Sequence, residues 1–244
     1  DRLRVLFEDS GGTLWIGTEA GGLNRFDRAS GRFQRYQHEP GNTSTISSNR
    51  INAIFEDDAG TLWIGTNAGL NAYNPATNNF DRHGRVAGDP YSLAHDNVLS
   101  LFQDRGGVIW VGTYDGLSKW NPFTRAMLHY RHRADDPHSL SENTVTAFTQ
   151  SGDGKIWIGT FGGGLNVLDR ATDRFRQYRH RPDDPASLSS DRVMALLVDS
   201  DGVLWAGTRA AGLNQLDAAT GTFRRFRHDP QDPAKSLCQP NRNH

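Results

Sequence analysis

Apolar residues in this chain come in short runs, each cut off by Gly, Asp, Asn or Pro. Val5-Leu6-Phe7 is closed by Glu8-Asp9, and Ile54-Phe55 by Glu56-Asp57. Runs of this length between turn formers predict β-strands. No apolar stripe of 3.6-residue period is present, and the Gly and Asp punctuation would break a helix of useful length. Helical repeats are therefore excluded.

The pattern repeats. Leu14-Trp15-Ile16-Gly17-Thr18 returns at residues 62–66, 109–113, 156–160 and 204–208, so that Trp15, Trp63, Trp110, Trp157 and Trp205 stand 47 or 48 residues apart. Each repeat reads as four strands: an apolar run ending in an acidic turn, the Trp segment, a segment opened by Gly (Gly22-Leu23-Asn24, Gly164-Leu165-Asn166), and an aromatic-basic segment (Phe33-Gln34-Arg35-Tyr36, Phe223-Arg224-Arg225-Phe226). Gly12, Gly60, Gly107, Gly154 and Gly202, three residues before each Trp, suit tight hairpin turns. Four hairpin-linked strands form an antiparallel sheet, and a repeat of this length is the size of a propeller blade. The chain is predicted to be all-β: a β-propeller of five four-stranded antiparallel blades, either a closed five-blade ring or part of a larger propeller. One domain is expected over 1–237, with blades at about 1–46, 47–93, 94–140, 141–188 and 189–237 and a disordered tail over 238–244.

The motif of Asp, Gly, Leu/Ile-Trp-Ile-Gly-Thr and Gly-Leu-Asn resembles the two-component regulator propeller repeat of bacterial sensor proteins. The resemblance runs from about Leu3 to about Leu237. Departures are local: Ser151 stands where other copies have Asp9, Asp57, Asp104 and Asp199, Ala206 replaces Ile or Val, and Ser118 replaces Asn. The resemblance implies the extracytoplasmic, periplasmic part of a membrane-anchored hybrid histidine kinase or diguanylate cyclase type regulator, often with more than five repeats. It supplies no fixed set of sensing residues.

Composition narrows the function. Of 244 residues, 36% are hydrophobic and 10% aromatic, enough for a sizeable core. Lys plus Arg number 27 against 28 Asp plus Glu, so the basic excess of a nucleic-acid binder is missing and no nucleic-acid partner is expected. Cys238 is the single cysteine, so no disulfide forms within the chain. No apolar run approaches the roughly 18 residues of a membrane span, and Asp1-Arg2-Leu3-Arg4 is no signal peptide. The chain reads as a fragment or excised domain that would meet a membrane only through segments absent from it. Arg242 stands where a sixth blade would need an apolar residue, so the repeats are expected to stop at five.

Residues constant between copies are assigned to the scaffold. The five Trp are expected to pack between blades, each burying roughly 150–250 Å². Gly17 and its equivalents allow close approach, and Thr18 and its equivalents bond locally at the strand end. His38, His132, His180 and His228 fall once per blade and cannot converge on one ion, so no metal or other cofactor is expected. Arg35, Arg179, Arg225 and other fourth-strand arginines are read as charge protecting a sheet edge.

Positions that vary between copies are the candidates for recognition. Those after the conserved Thr give Glu19, Asn67, Tyr114, Asp115, Phe161 and Arg209, and those before the first strand give Arg50 and Arg192. Both sets are expected at one mouth of the propeller, where mixed aromatic and charged groups suit a small-molecule or carbohydrate ligand. The expected function is a non-catalytic ligand-sensing domain. A protein-interaction or self-associating scaffold is the alternative, and a propeller lyase or glycosidase a more distant one. A glycosidase needs two carboxyl groups about 5–9.5 Å apart, and Glu19 and Asp115 lie two blades apart.

Overall fold

Every apolar run of the repeat forms a strand. A computed structural model describes residues 2–121 and 126–227, and no helix occurs among them. The expected tail over 238–244, the end of the fifth repeat from 228, and His228 and Cys238 lie outside the described residues.

The first blade comprises β1 (Leu3–Glu8), β2 (Leu14–Thr18), β3 (Leu23–Asp27) and β4 (Arg32–Tyr36). The second comprises β5 (Ile51–Glu56), β6 (Leu62–Thr66), β7 (Gly69–Asn74) and β8 (Asn79–His83), and the third β9 (Val98–Gln103), β10 (Ile109–Thr113), β11 (Gly116–Asn121) and β12 (Ala126–Tyr130). The fourth holds β13 (Val145–Gln150), β14 (Ile156–Thr160), β15 (Leu165–Asp169) and β16 (Arg174–Tyr178). The fifth holds β17 (Val193–Val198), β18 (Leu204–Thr208), β19 (Leu213–Asp217) and β20 (Thr222–Phe226). Each blade is a separate antiparallel sheet with its strands in chain order. The chain divides into two compact units, Asp1–Tyr130 with three blades and Arg131–His244 with two.

In the first unit, Trp15, Leu23 and Tyr36 of blade 1 pack against Ile51, Ile54, Leu62, Ile64 and Phe80 of blade 2. Trp63 and Leu70 of blade 2 pack against Val98, Ile109 and Val111 of blade 3, and the rings of Trp63 and Trp120 meet edge to face at 4.9 Å. In the second unit, Trp157, Leu165 and Val167 of blade 4 meet Val193, Leu204, Leu216 and Phe223 of blade 5. The Trp strands of blades 2, 3 and 4 are buried at every position. On blade 1 the face equivalent to Ile51, Ile54 and Phe80 is exposed at Leu3, Leu6 and Phe33.

Two features escape the period-two pattern. Each first strand carries a bulge against its Trp strand, which leaves Arg4, Asn52, Leu99, Thr146 and Met194 without a paired partner. A bulge re-aims the extra side chain, and two of these reach the following blade: Asn52 Nδ2 donates to Val98 O at 2.8 Å, and Thr146 Oγ1 to Val193 O at 2.6 Å. The fourth-strand arginines are the second. Arg225 Nε donates to Ser187 O at 2.8 Å and its Nη2 to Asp184 O and Leu188 O, while Arg179 Nη2 donates to Ser141 O at 3.0 Å. Those two clasp the crossover loop that enters their own blade, which corrects the reading of them as edge charge alone. The loop itself covers part of the edge: Phe80 N donates to Ser44 O, Phe175 N to His138 O and Phe223 N to Ala186 O.

Candidate functional site

The scaffold residues are tied down first. The Asp six residues before each Trp accepts its indole N–H: Asp9 from Trp15 at 2.7 Å, Asp57 from Trp63 at 2.8 Å, Asp104 from Trp110 at 2.9 Å and Asp199 from Trp205 at 2.7 Å. Ser151, the departure from this pattern, accepts from Trp157 through its hydroxyl at 3.2 Å. The substitution keeps the acceptor, which explains why it is tolerated.

The Asn of Gly-Leu-Asn anchors the crossover loop. Asn71 accepts from Ser47 N at 2.8 Å and donates to Ser47 Oγ at 2.9 Å, and Asn166 with Ser141 and Asn214 with Ser189 repeat this pairing. In blade 3 both partners change together: Ala94 stands at the Ser position, and Ala94 N donates to the shorter Ser118. His38, His132 and His180 donate from Nδ1 to Ile46 O, Leu140 O and Leu188 O, so each braces a crossover loop. No group of three His, Cys, Asp or Glu capable of holding a metal ion occurs among the described residues.

Thr18 Oγ1 donates to Gly22 O at 3.0 Å and accepts from Gly21 N at 2.8 Å, closing the loop between second and third strands; Thr66, Thr113, Thr160 and Thr208 donate in the same way. The residue after the Thr then donates its N–H to the residue just before its own blade's first strand. Glu19 reaches Arg2, Tyr114 reaches Asn97, Phe161 reaches Thr144 and Arg209 reaches Arg192, all at 2.9–3.0 Å. The two variable sets thus sit side by side at one end of blades 1, 3, 4 and 5, with their backbones fixed and their side chains free to differ.

In the first unit, Glu19 lies 3.7 Å from Arg2, and the exposed Tyr114 has the ring of His95 5.9 Å away. Arg50 and Asn67 are exposed at the same end of blade 2, and Asp115 is half-buried beside Tyr114. In the second unit, three of the candidates come together. Phe161 forms an antiparallel bridge with Arg192 across the blades, and the guanidinium carbons of Arg192 and Arg209 stand over its ring at 5.5 and 5.3 Å from the centre. Phe161 therefore serves as a platform for two cations. Sequence spacing alone would not pair residues 161 and 209.

Elsewhere in the second unit, a groove of about 1470 Å³ runs between blades 4 and 5, at the end that carries the hairpin turns. Its floor includes Trp157, Tyr178, Leu204 and Phe223. Its carboxylates are already engaged. Asp153 is held at about 2, well below the usual range, chiefly by Lys155 at 2.5 Å and also by Ser151. Asp169 is lowered by the Ala171 N–H and Asp217 by the Thr220 side chain and the Ala219 N–H. Three carboxylates of the groove are thus engaged internally, whereas neither Arg192 nor Arg209 makes an ion pair among the described residues.

Five separate four-stranded antiparallel sheets, each packed through a Trp strand, define a β-propeller. The family model described as Two component regulator propeller matches residues 45–68, 92–115, 139–162 and 187–210, each match running from the end of a crossover to the loop after the Trp strand. The chain carries repeats of that kind. The crystal structure of an extracellular domain described as part of a hybrid two component system from B. thetaiotaomicron is 30% identical with a TM-score of 0.79, over 91% of this chain and 29% of that one. Another, described as the extracellular domain of a one component system from B. thetaiotaomicron, is 22% identical with a TM-score of 0.72, over 88% and 27%. Virginiamycin B lyase from Staphylococcus aureus shares the fold at 11% identity and a TM-score of 0.67, over 94% and 71%. The chain spans less than a third of the length of the first two. No curated protein matches it in sequence, and no helix among the described residues is long and apolar enough to cross a membrane.

Proposed function

We propose that this chain is a non-catalytic, ligand-sensing part of a two-component type regulator, working outside the cytoplasm in the periplasm, and that the variable loop ends of its blades take a small polar ligand, a carbohydrate first among the candidates. The observation that carries this is the backbone pairing, in blades 1, 3, 4 and 5, of the residue after the Thr with the lead-in to the first strand. It gives a rigid platform whose side chains are not dictated by the fold, the arrangement that suits recognition. The repeat family and the extracellular domains it resembles support the regulatory setting.

The non-catalytic reading is supported by the repeat family and by the extracellular domains that the chain resembles, and the carboxyl groups whose ionisation is shifted agree with it. A general acid in sugar chemistry needs its pKa raised. Each carboxyl whose ionisation is shifted here is shifted downward: Asp136 by Arg133, Asp184 by Arg181, Asp199 by the Trp205 indole, and Asp27 by the Ser30 hydroxyl.

A panel of oligosaccharides, screened by calorimetry, tests the reading. At least one is expected to bind, and Tyr114→Ala or Phe161→Ala is expected to weaken it by about tenfold or more, which is about 1.4 kcal/mol. Both side chains are at least partly exposed, so the far-ultraviolet circular dichroism should not change. Full affinity in both variants would refute the placement, and turnover of a bound sugar would refute the non-catalytic assignment.

A further inference from the structure

We propose that the second unit carries an oxyanion-recognition site at Arg192 and Arg209, selecting a carbohydrate that bears a carboxylate or sulfate group. The inference deepens the ligand-sensing reading above and rests on it.

The same two positions can be compared in two blades. In blade 1 they are Arg2 and Glu19, whose N–H donates to Arg2 O and whose carboxylate lies 3.7 Å from the Arg2 guanidinium. Opposite charges on paired neighbours attract, and the pair is neutral. In blade 5 they are Arg192 and Arg209, joined by the same backbone bond at 2.9 Å. Like charges on paired neighbours repel. Both guanidinium groups are nevertheless drawn to one place, over the ring of Phe161 from blade 4.

Neither arginine makes an ion pair among the described residues. Asp191 is next to Arg192 in sequence and Glu142 lies beside Gly162, but neither is ion-paired with the two arginines, and each accepts a backbone N–H instead. Glu142 accepts from Asn143 N at 2.9 Å, and Asp191 accepts from His180 N at 2.7 Å. Arg192 is itself held in place by its N–H bond to Ser190 Oγ. Two exposed guanidinium groups on one aromatic platform offer a set of planar N–H donors that matches the oxygens of a carboxylate or sulfate. The ring holds the cations in position at little entropic cost, and an anion relieves their repulsion. A neutral sugar would do neither.

The test uses the whole chain and four probes: trigalacturonate, a sulfated disaccharide, neutral trigalactose and inorganic sulfate. Calorimetry is expected to give binding of at least one acidic sugar, weakening as salt is added, with trigalactose and inorganic sulfate each weaker by about tenfold or more. Arg192→Gln with Arg209→Gln should abolish that preference while leaving the melting temperature unchanged, and the Lys pair should keep part of it, since charge remains but the fork is lost. The inference is overturned if the Gln pair binds the acidic sugar undiminished, if trigalactose binds equally well, if inorganic sulfate alone matches the acidic sugars, or if neither acidic sugar binds. Binding of trigalactose that Tyr114→Ala abolishes would overturn only the acidic preference and leave the ligand-sensing reading standing. Silence from all four probes and the wider panel would overturn both.

Discussion

Trp110→Ala is expected to lower the unfolding free energy by about 3–5 kcal/mol, the range for removing a large buried aromatic. Trp110 is fully buried, at 0% exposure. Its indole N–H donates to Asp104, whose carboxylate is itself buried and also accepts from Gly106 N and Val108 N. The substitution therefore opens a cavity and takes a donor from a buried charge at the same time, and the two losses reinforce each other. Trp110→Phe keeps most of the volume and loses the N–H, so it should cost only about 1–3 kcal/mol. Chemical denaturation of the three proteins checks this. An alanine variant within about 1 kcal/mol of the parent would contradict the assignment of the Trp strand as the core of the repeat.

Gly17→Ala is expected to cost about 1–3 kcal/mol or more, the range of overpacking in a close-packed interior. A Cβ at Gly17 would lie 2.5 Å from Val5 Cγ1, 2.6 Å from Ile51 Cγ2 and 2.8 Å from Ile51 Cβ. The last of these cannot turn aside by changing rotamer. Blade 2 must move off blade 1, or the strand must bend. The same contact recurs at Gly65 against Val98 and at Gly159 against Val193, so the Gly of the Trp-x-Gly segment is there to bring neighbouring blades close. Ile51→Ala removes the 2.6 Å contact, and in a double-mutant cycle the two changes should be less than additive. Additivity would mean that the strain lies elsewhere.

Much of the scaffold was legible in the sequence, and the reason is repetition. Trp, Gly and Thr at fixed offsets could be given one structural role each, and the strands fall where the apolar runs place them. The Asp before each Trp was legible as a turn residue but not as the acceptor of the indole. Side-chain reach across a hairpin is not a property of spacing, although the exchange for Ser151, another acceptor, was a signal. Arg179 and Arg225 were legible as basic residues on an outer strand. That they clasp a crossover loop depends on where that loop returns. The bulges at Asn52 and Thr146 were invisible, because a shift of register by one residue leaves no mark on a short strand. Among the recognition candidates, variation between copies singled out the positions. It could not show that Glu19 finds Arg2, which the pairing of β1 with β2 decides, or that Phe161 gathers Arg192 and Arg209, which depends on how blade 5 is placed against blade 4.

The most direct test is an amide chemical-shift map of the chain as a bound oligosaccharide from the panel is added. The largest changes are expected at Glu19, Arg50, Asn67, Tyr114, Asp115, Phe161, Arg192 and Arg209 or a cluster of them, with the turns at the opposite end of the blades unmoved. Changes centred instead on Asp153–Lys155, Asp169 and Asp217, in the groove between blades 4 and 5, would contradict it.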